Sequence, residues 1–291
     1  MQSRQLLESI TIRLLNTHEE LLAVKELEEL IWASDDPVPL HQTMTAVKHG
    51  GMVIGAFVGE RLIGFQYSFA GFDGEKAYLC SHTMGIHPQY QKGGVGEKIK
   101  RAQQKAAIEK GYDLVLWTYD PLETVNGNLN IRKLGAICST YIQNCYGELP
   151  DILNAGLPSD RFQVEWWIRR PEVVEKLANP QKKRETDVHT KTALHFEINQ
   201  QGDPEPQSID LTQEQHDGPL VVAVPSAFQG VKARNYDLAL RWRMATRGVF
   251  KHYFQNDWVV SDFIKGDPTE PVHYYLMEKS QGRTVETRYS S

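Results

Sequence analysis

The segment Met84-Gly-Ile86-His-Pro88-Gln-Tyr-Gln91-Lys-Gly-Gly-Val-Gly96 constrains this chain more than any other. An apolar strand over 78–86 stops at His87-Pro88, because proline has a fixed φ and no N–H to donate. Three glycines, Gly93, Gly94 and Gly96, then lead into an amphipathic helix expected over 95–110 and closed by Gly111. The first N–H groups of a helix have no intrahelical partner. Beside the positive helix end they form an anion site, and glycines let the backbone approach a ligand closely. Lys92 and Lys98 add positive charge near that opening. The segment is therefore suited to a diphosphate. A P-loop would need Gly-Lys-Ser/Thr, whereas Gly96 is followed by Glu97; a G-x-G-x-x-G dinucleotide turn does not fit Gly93-Gly94-Val95-Gly96 either.

Elements around this segment follow from periodicity. Residues 10–15 alternate as a strand; Asn16-Thr17 offers caps for a helix to about Ile31, with Leu21, Leu22, Val24, Leu27 and Leu30 on its apolar face. A break at Asp35-Asp36-Pro37 precedes a short helix over 40–48. Runs 52–58 and 62–69, joined at Gly59-Glu60-Arg61, read as a hairpin. Residues 114–119 form a continuous apolar run suited to a strand buried on both faces. A turn or short helix with Asn126, Asn128 and Asn130 follows, then strands over 137–142 and 161–167. After Arg170 come a short helix over 171–178, a charged linker over 179–191, and a second strand–helix–strand group: strands 193–198 and 220–224, a helix over 236–254, and strands 258–264 and 273–277 that suit a hairpin. The expected organisation is an α+β domain over 1–170 and an α+β extension over 171–291.

Bulk properties narrow the partners. The chain has 291 residues, 41% hydrophobic and 24% charged, with net charge −5, so no basic excess points to nucleic acid. Three cysteines without a C-x-x-C pair fit neither a disulfide framework nor a thiol zinc site, and no metal is expected. No apolar run of roughly 18 residues exists to span a membrane, and the first residues lack a secretory apolar core. A cytoplasmic protein is expected.

Gln91, Gly94 and Gly96 stand at the three fixed positions of Gln/Arg-x-x-Gly-x-Gly/Ala, so the segment resembles motif A of the GNAT superfamily of N-acyltransferases. Ile86-x-Pro88 is similar to the Val-x-Pro closing that family's fourth strand. Lys133-Leu134-Gly135-Ala136 resembles its Lys-x-Gly-Phe, with Ala136 for Phe. The element order over about the first 170 residues also matches, and the extension lies outside the likeness. The resemblance implies a GNAT-like mixed sheet flanked by helices that binds acetyl-CoA or another acyl-CoA as donor, with a small-molecule amine as acceptor. Met84, Gly85 and Ile86 would line the pantetheine arm, and Gln91, Lys92, Gly93, Gly94, Val95 and Gly96 the pyrophosphate, with Asn126 also near the donor. The chain departs from the family at Ile131, where a thiolate-protonating tyrosine is expected; Tyr141 and Tyr146 are the substitutes. Thr124 stands near the place of the family's asparagine.

For the base, His82 has a suitable unperturbed pKa, and strict alternation places it on one face with Met84 and Ile86, with Ser81 and Thr83 opposite. A hydrogen-bonded core histidine is the alternative. His87, in the turn, is expected to be exposed. Tyr119, Asp120 and Trp166 are candidate acceptor contacts, although Asp120 before Pro121 also suits a turn. Trp117 ends the same strand, and one of Trp166 and Trp167 should pack inside while the other lines a pocket. Arg241, Arg243 and Arg247 share a helix and could grip a carboxylate or phosphate, or form a solvated face. The extension is a candidate lid, acceptor wall or dimerisation surface, so a homodimer stays open. A non-catalytic acyl-CoA sensor and a protein-lysine acetyltransferase are the competing functions.

Overall fold

The computed structural model describes residues 9–33, 37–91, 93–147, 156–180, 191–212 and 218–282. The fold class is α+β. Residues separate into two compact units, 1–117 with 167–169, and 118–166 with 170–291.

In the first unit, β1 (Ile10–Leu15), β2 (Met52–Val58), β3 (Arg61–Phe72) and β4 (Ala77–Ile86) form an antiparallel meander, and β5 (Leu114–Tyr119), whose last two residues count with the second unit, joins β4 in parallel. Helix α1 (His18–Trp32) starts at a capping box: the Glu20 N–H donates to the Thr17 hydroxyl, and the Glu20 carboxylate accepts from the Asn16 and Thr17 N–H groups. Its apolar stripe, with α2 (Leu40–Lys48), covers one sheet face through Leu21, Val24 and Leu27 against Val53, Phe65 and Tyr67. Helix α3 (Val95–Glu109) covers the other face, where a Cβ on Gly64 would lie 3.3 Å from Ile99 Cδ1.

The second unit opens with α4 (Thr124–Gly127), which continues as a π-helical segment (Asn128–Lys133). Then follow β6 (Ile137–Ile142), β7 (Arg161–Trp167), α5 (Pro171–Ala178), β8 (Thr192–Ile198), β9 (Pro204–Ile209), β10 (Leu220–Pro225), α6 (Phe228–Arg234), α7 (Tyr236–Gln255), β11 (Trp258–Lys265) and β12 (Val272–Lys279). The strand order is β7-β6-β11-β12-β10-β8-β9, mixed because β10 runs parallel to β8, and β11 and β12 pair antiparallel as expected. The expected boundary at Arg170 is not where these units divide. Residues 118–166 group with the C-terminal elements because they share one aromatic core. The Phe162 ring lies 4.6 Å from Phe250, 5.4 Å from Tyr275, 5.5 Å from Phe254 and 5.8 Å from Tyr119.

Two elements escape the periodicity reading. Strand β9, Pro-Glu-Pro-Gln-Ser-Ile, carries two prolines and no apolar alternation, yet as the edge strand it can spare the donors that proline lacks. Helix α6 is too short for a helical stripe to register, although Phe228 and Val231 are buried.

Candidate functional site

The end of β4, the turn after it and the start of α3 form one continuous feature of the first unit. Gln91 folds back so that its Nε2 donates to the Ile86 carbonyl at 3.2 Å, tying the turn to the strand it leaves. Gly94 has φ +78°, a left-handed conformation that a side chain would strain, and caps α3 there. The first intrahelical bond runs from the Lys98 N–H to the Gly94 carbonyl, so the amides of Val95, Gly96 and Glu97 precede the ladder at the positive helix end. Val95 and Gly96 are buried, Gly93 is half-buried, and Lys92 lies outside the described residues. His87, expected to be exposed, is instead buried in the turn. Its Nδ1 accepts from the Gln89 N–H, its Nε2 lies 3.0 Å from Arg61 Nη2, and its own N–H donates to the Ile63 carbonyl.

Strand β4 departs from strict alternation. Thr83 pairs with Tyr67 and Ser81 with Ser68, so His82 is an extra residue, a β-bulge. A one-residue insertion moves everything before it to the opposite face. His82 therefore does not share a face with Met84 and Ile86. Its ring sits 5.8 Å from Tyr67 and 5.7 Å from Phe69, on the α1 side, whereas Met84 pairs with Gln66 and Ile86 with Gly64 on the α3 side. The side chain still reaches solvent, and the apolar surroundings lower its pKa, keeping the imidazole neutral. Gly85 faces α1 so closely that a Cβ would lie 2.7 Å from Ile31 Cδ1 and Phe65 Cε1.

On the α3 side is a polar network that periodicity did not single out. Lys100 Nζ donates to Ser81 Oγ at 2.8 Å and to Gln103 Oε1 at 3.1 Å, and lies 3.6 Å from the centre of the Trp117 ring. Gln103 Nε2 donates to Ser68 Oγ, Ser68 Oγ to Gln66 Oε1, and Gln66 Nε2 to Ser81 Oγ, which closes a ring of buried polar groups. Lys100 is 2% exposed, and burial pulls its pKa down to about 7. The neighbouring Cys80 thiol is pushed up to about 11 by burial and stays protonated. A signal was present in the sequence: Gly96, Ile99, Lys100, Gln103 and Ala107 share the buried stripe of α3, so a lysine and a glutamine sit where apolar residues belong.

The second unit holds the remaining candidates. Asp120 accepts two hydrogen bonds from the Arg243 guanidinium and one from the Leu122 N–H, and Arg161 Nη1 lies 4.0 Å away. Asp160 is gripped by Arg247 at 2.7 and 2.8 Å and accepts from the Tyr141 hydroxyl at 2.7 Å; burial raises the Tyr141 phenol well above its usual range. Arg241 pairs with Glu205. The three arginines thus hold carboxylates of the chain itself. Tyr146 is open to solvent, its hydroxyl 2.8 Å from Thr118 Oγ1 and its ring under Arg161. Tyr119 and Trp166 are interior: the Tyr119 hydroxyl donates to Tyr275, and Trp166, fully buried, donates Nε1–H to the Leu134 carbonyl. Trp167 is the more open member of its pair. Asn126 is half-buried in α4, the Thr124 hydroxyl donates to the Ser226 carbonyl, and Ile131 is fully buried. Among the described residues no group of three or more His, Cys, Asp or Glu could hold a metal, and no helix is long and apolar enough to cross a membrane.

No family model matches the chain, and no curated protein matches it in sequence. Among solved structures it is similar to the ribosomal-protein-S18-alanine N-acetyltransferase from Escherichia coli, at 15% identity over 55% of this chain and 95% of that one, with TM-score 0.45. It is also similar to an acetyltransferase of GNAT family from Streptococcus pneumoniae, at 14% identity over 54% and 97%, with TM-score 0.42. A third is an aminoglycoside acetyltransferase from an uncultured soil metagenomic sample, at 17% identity over 40% and 82%, with TM-score 0.36.

Proposed function

We infer that the chain is a member of the GNAT superfamily, and we propose that it transfers an acetyl or other acyl group from acyl-CoA to the amine of a small molecule. The observation that carries this reading is the left-handed Gly94 turn, which delivers the start of α3 to the end of β4, a strand whose parallel ladder with β5 has already stopped at Cys80↔Leu116. The backbone amides of 93–97 suit a pyrophosphate, and the unpaired side of β4 suits an extended pantetheine arm. Bound acyl-CoA would supply the activated acyl group as a thioester. A β4 peptide N–H aimed at its carbonyl commonly contributes about 10²–10³ in rate.

His82 is the candidate base: neutral, solvent-reaching and on the bulge of β4. Its role predicts a rate that rises with pH through a pKa below 6.5 and an acid limb that disappears in His82→Ala. Of the two candidate acids, Tyr146 is the more exposed residue and its hydroxyl meets the neutral Thr118 hydroxyl, while the Tyr141 proton is engaged by the Asp160 carboxylate.

Calorimetric titration of coenzyme A into wild type and Gly94→Val tests the cofactor site. Wild type should bind and the variant should lose at least tenfold in affinity; equal affinity would remove the loop from the site. A second reading, a non-catalytic acyl-CoA sensor, draws on the buried Ile131 where a tyrosine would donate a proton. Free-thiol release with acetyl-CoA and a panel of amines separates the two, since tight binding without release favours the sensor.

A further inference from the structure

The parallel ladder of β4 and β5 ends at Cys80↔Leu116, and the next residue on each strand is Ser81 and Trp117. Lys100 touches both, donating to the Ser81 hydroxyl and resting on the Trp117 ring. Its head therefore sits where the two strands begin to part. The head meets three partners, Ser81 Oγ, Gln103 Oε1 and the indole face, and these contacts hold it in one position. The ring through Gln66, Ser68 and Gln103 holds those acceptors in turn, tying β3, β4 and α3 together beneath it. Among the described residues no carboxylate lies within ion-pair distance of Lys100, so charge pairing does not account for a buried lysine here.

Direction follows from the two ends of β4. The anion-binding turn lies past Ile86, so a donor held there extends its arm back along β4 toward Ser81. Five residues at about 3.3 Å each span about 17 Å, comparable with an extended pantetheine arm. The acyl group then arrives beside the fork that Lys100 occupies.

We propose that Lys100 closes the acyl-donor slot at the fork between β4 and β5 and restricts the donor to a short acyl chain. The inference rests on the acyl-CoA reading of the 91–96 turn. Lys100 acts here as a positioning and specificity-determining residue. A longer apolar chain would have to displace the polar head from Ser81, Gln103 and Trp117, leaving buried polar groups without partners.

The test is calorimetric titration of the full chain, wild type and Lys100→Ala, with coenzyme A, acetyl-CoA and hexanoyl-CoA. Wild type should bind acetyl-CoA at least tenfold more tightly than hexanoyl-CoA. In Lys100→Ala that ratio should shrink at least tenfold while affinity for coenzyme A stays within about twofold. A wild type that binds both acyl forms equally overturns the inference without any variant being needed. A variant that loses affinity for all three ligands together also overturns it, because that is the mark of a purely structural lysine. Absence of binding by coenzyme A itself overturns the reading of the turn, and the inference with it.

Discussion

Lys100 and Asp120 show how burial decides what an ionisable residue can do. Burial lowers Lys100 from 10.5 to about 7. Between those values the unfolded chain holds a proton that the folded chain releases, so stability rises with pH across that window. Lys100→Met removes this linkage. The stability of wild type minus that of Lys100→Met, from urea unfolding, should increase between about pH 7 and pH 9; a flat difference would show that the lysine is not depressed. Asp120 presents the opposite case. Arg243 is 1% exposed, and Asp120 supplies its bidentate partner. Asp120→Asn leaves a buried guanidinium uncompensated, which typically costs about 3–5 kcal/mol. Denaturant unfolding should show a loss of that order, whereas unchanged stability would free Asp120 for a role toward the acceptor. Neither pairing was legible from sequence, since Asp120 and Arg243 are 123 positions apart.

Among the elements, β4 carries the most consequence. Its extent follows from alternation and from His87-Pro88, but its face assignment depends on one residue that β3 leaves unpaired. A bulge is a property of two strands in register, so no single-strand pattern reveals it. Helix α1 lies against the same strand through Gly85, where a Cβ would stand 2.7 Å from Ile31 and Phe65 and 3.0 Å from Trp32. Gly85→Ala should therefore lower stability by about 1–3 kcal/mol through overpacking. Thermal unfolding checks this, and a neutral result would mean that α1 can move away from β4 at little cost. The start of α3, by contrast, was readable directly, because Gly94 at φ +78° is a local requirement written in one residue.

At the scale of the whole molecule, the division of the chain matters most for experiments. Residues 118–166 belong with 170–291, joined by the aromatic contacts of Phe162 and by the Arg243–Asp120 and Arg247–Asp160 pairs. A chain truncated after Arg170 would expose Phe162, and would take Arg243 from Asp120 and Arg247 from Asp160. It should unfold without a cooperative transition and bind a hydrophobic dye, as measured by circular dichroism and dye fluorescence; a cooperative fragment would restore the boundary at Arg170. The C-terminal residues thus complete a shared core within their unit.

Most strands and helices, and the turn from Gln91 to Gly96, are readable from the amino acids alone. Those depend on local terms: side-chain period, proline's missing donor, and the dihedral freedom of glycine. Long-range packing set the rest: His82 faces α1, Trp166 rather than Trp167 is interior, three arginines hold the chain's own carboxylates, and a lysine stands at the fork of β4 and β5. Each of these depends on which distant residues share a low-dielectric interior, where a charge or hydrogen-bond donor must find a partner or change its protonation.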